Sequence, residues 1–226
     1  ASVDLTNKSP VSPGLPGTGA GPEGSAQVTN ATNPGTTTVF TLVTQNTGPS
    51  SDSYDLAAST AGNFSGLTLP AGWTVTFKAD GGVGNCSTTG ATIINTGSVA
   101  SNASTTVCAV VTVPAGSAAG TTDLYFRSLS PVSGAKDILH DAVTVNVVRS
   151  ITITPNGTGQ TYPGGSYVYS HTLTNTGNVT EGTGTLSTIT PSLGNNQPGW
   201  TSNLYYDNGN GVLDAADPLI SGTLNA

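Results

Sequence analysis

Charge is scarce in this sequence. Lys, Arg, Asp and Glu together make up 8% of its 226 residues, whereas about 25% is usual for a soluble globular domain. Thr, Ser, Asn and Gly must therefore provide most of the polar surface. The five basic and twelve acidic residues give a net charge of −7, and a negative surface repels phosphate backbones and anionic lipid headgroups. We therefore expect no nucleic-acid partner.

Long apolar runs and methionine are also missing. The densest apolar stretch, Val107–Val113, is much shorter than the roughly 18 residues that a membrane-spanning helix needs, so we expect no transmembrane segment. Methionine is absent even from position 1, which indicates a processed chain or a fragment. The uncharged composition and the pair of cysteines favour an exported protein that is located at the cell surface or outside the cell.

Cysteine is limited to Cys86 and Cys108. An even number of cysteines in a chain of extracellular composition favours a disulfide, which would stabilise the fold by on the order of 3 kcal/mol. The alternative is a pair of buried free thiols. In the predicted strand around Cys108, Val107 and Ala109 belong to the apolar face. Cys108 therefore points to the other side, where it would hold down the Asp80–Gly90 loop.

Glycine and proline, in contrast, are abundant: the 30 Gly and 14 Pro residues favour turns and strands over helices. Apolar, aromatic and β-branched residues alternate with period two, as in TVFTLVTQNTG at Thr38–Gly48, which is typical of a strand that ends in a tight turn. Further strands are predicted near residues 54–59, 73–79, 91–95, 106–113, 121–128, 141–148, 151–155, 183–188, 200–206 and 219–224. Many short strands separated by turns predict an all-β antiparallel sandwich.

The sequence also contains an internal repeat. Thr38–Gly48 aligns with Tyr167–Gly177 (YVYSHTLTNTG) at an offset of 129 positions. Pro70–Trp73 (PAGW) aligns with Gln197–Trp200 (QPGW) at an offset of 127 positions. Because two different anchors agree on nearly the same offset, the repeat unit is about 128 residues long.

The repeat predicts three segments along the chain. These are an extended N-terminal arm with the first strand (1–24), a first immunoglobulin-like sandwich (25–149) and a second, incomplete one (150–226). No flexible linker joins the two copies, which favours a stiff rod of domains. The second copy stops before the strands that match residues 106–148. We therefore expect the native chain to continue or, as the less favoured alternative, a strand from another subunit to complete the fold.

Several short motifs resemble those of a known family. LPAGW (Leu69–Trp73), VCAVVTVPAG (Val107–Gly116) and GTTDLYF (Gly120–Phe126), with strands that end in Asn-Thr-Gly, are similar to the conserved repeat domains of bacterial and archaeal surface proteins. Those domains are immunoglobulin-like and occur in tandem in S-layer, envelope-associated and adhesin-like proteins. The resemblance covers nearly all of the first copy and the visible part of the second. It implies tandem immunoglobulin-like sandwiches with a scaffold role.

Catalytic residue types are few. The chain has two histidines, His140 and His171, and contains no GxSxG, HExxH or GxxxxGK[ST] string. His171 takes the place of Leu42 in the repeat, so we expect a hydrogen-bonded histidine in the core. His140, at the start of a predicted strand, is followed by Asp141, and neighbouring residues of a strand point to opposite faces, so they form no dyad. We therefore predict that the protein is not an enzyme.

Tryptophan occurs once in each copy, at the same position of the repeat. Trp73 and Trp200 each follow a Pro-x-Gly or Pro-Gly sequence at the start of a predicted strand. Exposed tryptophans could anchor a sugar, but this placement favours packing in the core of each sandwich.

One acidic segment, YDNGNGVLDAADP from Tyr206 onward, is similar to a calcium-binding loop. Asn210-Gly211 matches positions five and six of such a loop, although position one falls on Tyr206, which lacks a carboxylate. The candidate Ca²⁺ ligands are the side chains of Asp207, Asn208, Asn210, Asp214 and Asp217, with the carbonyl of Val212. The alternative is an Asn/Gly hairpin turn with solvated acids.

These observations together predict a structural component of the cell envelope, a building block of an S-layer, a surface fibre or an envelope complex. The expected partners are other copies of the protein, other envelope proteins and cell-wall polysaccharide. The alternative function is that of an adhesin stalk, or of a carbohydrate- or protein-binding module in a larger exported protein.

Overall fold

All of the regular secondary structure in the described residues is β-strand. The computed structural model describes residues 2–7, 19, 21–181 and 189–220. Within this part of the chain no helix is present, and hence none that is long and apolar enough to cross a membrane. The chain divides into two compact units, Ala1–Val147 (unit 1) and Val148–Ala226 (unit 2).

Eleven strands are assigned among the described residues. They are β1 (Val3–Thr6), β2 (Thr29–Thr32), β3 (Thr37–Asn46), β4 (Asp55–Ser59), β5 (Thr74–Asp80), β6 (Thr89–Thr92), β7 (Ser104–Thr112), β8 (Gly120–Leu129), β9 (Lys136–Val145), β10 (Ile151–Thr154) and β11 (Thr172–Asn175). The first nine strands belong to unit 1 and the last two to unit 2.

Unit 1 consists of two sheets. The five-stranded sheet has the order β1-β3-β7-β5-β6, and all of its pairs are antiparallel. The four-stranded sheet has the order β2-β9-β8-β4 and is antiparallel except for the pair β2–β9. This confirms the predicted all-β, immunoglobulin-like sandwich, with one parallel pair that the sequence pattern did not predict.

The core of unit 1 consists of the alternating apolar residues of both sheets. Phe126 of β8 contacts two aromatic rings of the other sheet, with centroid distances of 5.3 Å to Phe40 and 6.3 Å to Phe77. Burial of one such side chain stabilises a fold by about 1.5–3 kcal/mol. The buried cluster comprises Leu5, Phe40, Leu42, Trp73, Phe77, Val107, Ala109, Val111, Val113, Leu124, Phe126, Leu139, Val143 and Val145.

The N-terminal residues are integrated into this sandwich. β1 pairs with β3, and its Leu5 is buried in the core. Residues 21–28 run beside β9, where the Gln27 N–H donates to the His140 carbonyl and the Ala142 N–H donates to the Val28 carbonyl. β2, which continues this segment, was not among the strands predicted from the sequence because its TNAT sequence contains no bulky apolar residue.

Unit 2 begins as unit 1 does. β10 pairs with β11 in the register Ile151↔Asn175, and β1 pairs with β3 in the register Val3↔Asn46. The turn that follows is also the same, because Asn46 and Asn175 each accept a hydrogen bond of 2.9 Å from the N–H of the glycine two positions later. The two units therefore have the same first strand pair and the same Asn-Thr-Gly turn.

The predicted strands of unit 2 are formed only in part. The prediction at 183–188 lies outside the described residues, as does most of that at 219–224. The predicted strand at 200–206 contains only one bridge, Tyr205↔Leu219. β9 ends at Val145 and β10 begins at Ile151, so residues 146–150 between the two copies belong to no strand.

Candidate functional site

Two loops occupy the same position in the two units. We define loop 1 as residues 80–90 and loop 2 as residues 207–217, which are 127 positions apart. The strand pair Lys78↔Thr92 flanks loop 1, and the bridge Tyr205↔Leu219, at the same offset, flanks loop 2. The backbone hydrogen bonds next to these pairs are equivalent too. The Ile93 N–H donates to the Phe77 carbonyl and the Ile220 N–H donates to the Leu204 carbonyl, each at 2.9 Å. The structure thus extends the repeat to these loops.

A turn of backbone around one carboxylate defines loop 1, in which Cys86 alone is buried. The Asp80 carboxylate accepts hydrogen bonds from the N–H groups of Gly82 (2.8 Å), Gly84 (2.7 Å) and Cys86 (2.9 Å). Gly82 and Gly84 have φ values of 98° and 76°, which favour glycine. Of these donors, the N–H of Gly84 contributes most to a lowered pKa of Asp80, and desolvation opposes it.

Loop 2 repeats this arrangement. Asp207, 127 positions after Asp80, accepts hydrogen bonds from the N–H groups of Gly209 (3.0 Å), Asn210 (3.2 Å) and Gly211 (3.1 Å). The φ values of Gly209 and Gly211 are 99° and 75°, nearly those of the glycines in loop 1. The shared sequence Asp-x-Gly-x-Gly carries this signal. The sequence prediction for loop 2 followed a calcium-binding motif instead and did not include this equivalence.

The disulfide of loop 1 joins Cys86 and Cys108, with a Cα–Cα distance of 5.5 Å, as predicted. Cys108 is buried but is not part of the apolar core cluster, which contains its neighbours Val107 and Ala109. The bond therefore attaches loop 1 to the outer side of β7. Asp80, Cys86 and Cys108 are the one group of three potential metal-ligating residues with converging atoms in the described part of the chain. Because its two sulfurs are bonded to each other, this group is not a metal site.

The remaining acids of loop 2 also accept hydrogen bonds from the loop itself. Asp217, which is buried, accepts from the N–H groups of Asn208 and Asp214, at 3.0 Å each. Asp214 accepts hydrogen bonds from the Ala216 N–H (2.7 Å) and from the Asn210 side-chain amide (2.8 Å). Loop 2 is thus a compact turn that is held by its own carboxylates.

The predicted calcium ligands all lie in loop 2, and their oxygens are of the type that Ca²⁺ prefers. The carboxylates of Asp207, Asp214 and Asp217 do not converge to within 4.8 Å of one another, since the converging group found among the described residues is the one in loop 1. Their oxygens accept hydrogen bonds from backbone N–H groups and, at Asp214, also from the Asn210 side-chain amide. A cation would therefore require the side chains of Asp214 and Asp217 to turn toward Asp207.

The contacts of His140 tie strands and loops of unit 1 together. It lies in the middle of β9 rather than at a strand start, and its ring stacks on Tyr125 at a centroid distance of 4.4 Å. Its Nε2 lies 3.0 Å from an Asp123 oxygen, and its Nδ1 lies 2.9 Å from the Glu23 carbonyl. Asp141 instead accepts hydrogen bonds from Val28 and from Asn7. The two neighbours therefore face different partners, as predicted.

Two predictions about buried residues of the second copy are wrong. His171 is exposed, and its Nδ1 lies 2.8 Å from the Pro155 carbonyl. Trp200 is also exposed, whereas Trp73 lies in the core of unit 1. The physical reason is that no second sheet covers this side of unit 2 among the described residues.

Two further acids, not singled out by the sequence pattern, are buried in β9. Asp137 accepts hydrogen bonds from the N–H groups of Leu5 (2.7 Å) and Gly21 (3.0 Å), and Asp141 accepts from Val28 and Asn7. Desolvation raises the pKa of each to about 6, although these hydrogen bonds oppose the rise. Both acids attach N-terminal residues to β9.

Comparison with known proteins gives no family. No family model matches the chain, and no curated protein matches it. A family 123 glycoside hydrolase from Clostridium perfringens matches with a TM-score of 0.34 at 7% identity, over 52% of this chain and 22% of that one. A PapD-like domain of human CEP192 matches with a TM-score of 0.31 at 16% identity, over 64% and 83%.

A chaperone-tip adhesin complex of CFA/I fimbriae biogenesis matches with a TM-score of 0.30 at 8% identity, over 88% of this chain and 79% of that one. Likenesses this weak carry no argument about function. The fold assignment therefore depends on the strand order and pairing of unit 1.

Proposed function

We propose that this protein is a structural component of the cell envelope, a repeat-domain building block of an S-layer, a surface fibre or an envelope complex. The observation that carries the proposal is the repetition of one supersecondary unit. Both units contain the same first strand pair, the same Asn-Thr-Gly turn and the same carboxylate-centred loop. Repetition of a domain without a change of its turns is typical of proteins that extend or tile a surface.

The chemistry of the surface supports this proposal. Only 8% of the residues are charged and five are Lys or Arg, so proteases that cleave after basic residues find few sites. The disulfide is typical of a protein that functions outside the cytosol. Both histidines contact acceptors in structural settings, which favours a role without catalysis. The expected partners are copies of this protein, other envelope proteins or cell-wall polysaccharide.

Immunolabelling of isolated cell envelopes tests the proposal. We expect labelled antibody to decorate the envelope in an ordered array or along fibres. A diffuse, secreted signal without envelope attachment would contradict the scaffold role. Labelling restricted to stalks that carry a different terminal domain would instead favour the alternative, an adhesin stalk or a binding module of a larger exported protein.

We further propose that loop 2 binds one calcium ion through the side chains and the carbonyl predicted above. Three acids within eleven residues, without a Lys or Arg in the loop, repel one another unless a cation neutralises them. At the positions that match Asp214 and Asp217, loop 1 has Ser87 and Gly90. Loop 1 is instead held by the disulfide between Cys86 and Cys108. The two units would then fix equivalent loops by different means, one with a covalent bond and one with a metal.

A further inference from the structure

Three Asn-Gly pairs occur in the chain, and all of them lie in unit 2. They are Asn156-Gly157, Asn208-Gly209 and Asn210-Gly211. In an Asn-Gly pair the asparagine side chain is open to attack by the backbone nitrogen that follows it, because glycine has no Cβ to obstruct ring closure. All six residues are exposed, so access of water does not distinguish the three pairs.

The reaction that such a pair permits is closure of a cyclic imide. The glycine nitrogen loses its proton and attacks the asparagine Cγ, a C–N bond forms, and the side-chain nitrogen leaves as ammonia. Water then opens the ring at either of its carbonyls and gives aspartate or isoaspartate. In both products a carboxylate replaces the amide, so each event adds one negative charge. Water is the only co-reactant.

Hydrogen bonds to one carboxylate oppose this reaction in loop 2. The N–H groups of Gly209 and Gly211 donate to Asp207 at 3.0 Å and 3.1 Å. A negative charge beside an N–H group opposes its deprotonation. A backbone nitrogen that is bound to Asp207 must also break that bond before it can approach a side-chain carbon.

The Asn210 side chain is fixed at both of its polar atoms. Its Nδ2 donates to the Asp214 carboxylate and its Oδ1 accepts from the Val212 N–H, each at 2.8 Å. The Cγ atom between them cannot turn toward the Gly211 nitrogen until these bonds break. The Asn208 side chain is held by one bond, which its Oδ1 accepts from the Asn210 N–H at 3.2 Å.

Asn156-Gly157 has neither form of protection. Among the described residues, no hydrogen bond involves the Asn156 side chain or the Gly157 N–H. The contacts next to the pair leave these groups unbound: the Pro155 carbonyl lies 2.8 Å from Nδ1 of His171, and the Tyr169 ring lies over Gly157. A Cβ at Gly157 would lie 2.7 Å from that ring, so the packing of unit 2 requires the glycine that makes the pair reactive.

We propose that Asn156-Gly157 is a site of spontaneous deamidation through a cyclic imide, whereas Asp207 protects the two chemically identical pairs of loop 2. The modification introduces a carboxylate just after β10, beside Tyr169. In the isoaspartate product the main chain passes through the former side chain and is one carbon longer, which moves Gly157 relative to the Tyr169 ring. Because the reaction needs only water, it takes place wherever the protein is located.

Peptide mapping by mass spectrometry tests this on the full 226-residue chain, incubated in heavy-oxygen water at mildly alkaline pH. EGTA in the buffer keeps the result independent of calcium in loop 2. We expect Asn156 to take up one heavy oxygen per event and to give both aspartate and isoaspartate. Its rate should exceed that of Asn210 by about tenfold or more, since Asn210 must first break several hydrogen bonds. In guanidinium, which removes these bonds, the three pairs should react at similar rates.

Variants assign the protection to its source. Asp207→Ala should raise the rates at Asn208 and Asn210 by about tenfold or more and leave the rate at Asn156 unchanged. Asp55→Ala, in unit 1, should change none of the three rates. Hydrogen exchange at the β10–β11 pair reports whether unit 2 is still folded in each variant.

Three results would overturn the proposal. The first is a reaction at Asn210 of the folded chain that is as fast as the reaction at Asn156. The second is a rate at Asn156 that folding lowers by about tenfold or more, since this would mean that the pair is protected too. The third is uptake of heavy oxygen at Asn156 that gives aspartate without isoaspartate, because direct hydrolysis of the amide would then account for it.

Discussion

At the scale of single residues, the buried acids of β9 connect sequence to stability most directly. Asp137 and Asp141 are 3% and 0% exposed, and no Lys or Arg bonds to either carboxylate in the described residues. Burial without a cation favours the protonated form. The pKa of each therefore rises from 3.8 to about 6.

This shift predicts the direction of the pH dependence. Because the folded state holds these protons more tightly than the unfolded state, the stabilisation is fully present below about pH 4 and is lost as pH rises through about 6. We expect the free energy of unfolding of unit 1 to decrease between pH 4 and pH 6, by on the order of 1–3 kcal/mol per acid, and then to level off.

Denaturant unfolding across this pH range measures the effect. Asp141→Asn should flatten the profile, whereas Asp55→Asn, which changes an exposed carboxylate, should leave its shape unchanged. A stability that increases from pH 4 to pH 7 would contradict the assignment.

A second residue-scale prediction concerns Asp80. One oxygen of its carboxylate lies within 4.8 Å of the sulfurs of Cys86 and Cys108, and disulfides are reduced by attack of an anionic thiolate. The negative charge repels that nucleophile. We expect Asp80→Asn to accelerate reduction of the folded protein by dithiothreitol, as followed by mass spectrometry with alkylation. Asp55→Asn serves as the control, and an unchanged rate in Asp80→Asn would contradict the electrostatic shielding.

At the scale of elements, the disulfide fixes the β5–β6 loop to β7. Its two cysteines are 22 positions apart, and closure of a loop of this length is worth about 3 kcal/mol in the chain-entropy description. We expect the double variant Cys86→Ala/Cys108→Ala to lose about that much free energy of unfolding while it retains its fold. Unfolding in denaturant with and without reductant checks this, because the double variant should be insensitive to reductant.

Loop 2 provides the corresponding prediction for the metal. If it binds calcium, EGTA should lower the melting temperature of unit 2, and Asp214→Ala should lower it in calcium and remove the response to EGTA. Affinity in the ~10⁻⁴–10⁻³ M range of extracellular modules is expected, because position one has no carboxylate. Asp55→Ala, in unit 1, should retain the response. An unchanged melting temperature with EGTA and in Asp214→Ala would identify loop 2 as a turn held by its own hydrogen bonds.

The elements also show what the sequence could and could not predict. Strands with clear alternation, such as β3, β7 and β8, were predicted to within a few residues because one of their faces is buried in the core. β2 was not, since its pairing with β9 depends on neighbours rather than on its own side chains. The disulfide followed from the cysteine count, but the burial of Asp137 and Asp141 did not, because their N–H donors come from segments more than 100 positions away.

At the scale of the whole molecule, the repeat correctly predicted matching elements in both units but wrongly predicted which residues of the second unit are buried. It placed His171 and Trp200 in a core by analogy with Leu42 and Trp73. An offset transfers the backbone conformation, as the nearly equal glycine φ values of the two loops demonstrate. Burial does not transfer, because it depends on the strands that lie opposite.

The two units should therefore differ in local stability. Unit 1 has two packed sheets, a buried cluster that contains Phe40 and Phe126, and a disulfide. In unit 2 the side chains of Ile151 and Ile153 in β10 and the rings of Tyr167 and Tyr169 are exposed. Amides exchange slowly where opening requires the loss of buried apolar contacts and quickly where it does not.

Hydrogen exchange with peptide-level resolution tests this difference on the 226-residue chain. We expect the amides of β3, β7 and β9 to exchange only by global unfolding of unit 1, and those of β10 and β11 to exchange faster by several orders of magnitude, since each tenfold factor corresponds to about 1.4 kcal/mol of opening free energy. Reduction of the disulfide should accelerate exchange in β5, β6 and β7 and leave β10 and β11 unchanged. Equal protection of β10 and β3 would mean that the exposed side chains of β10, Tyr167 and Tyr169 are covered in solution, and a sedimentation measurement on the same sample would then reveal whether a second copy covers them.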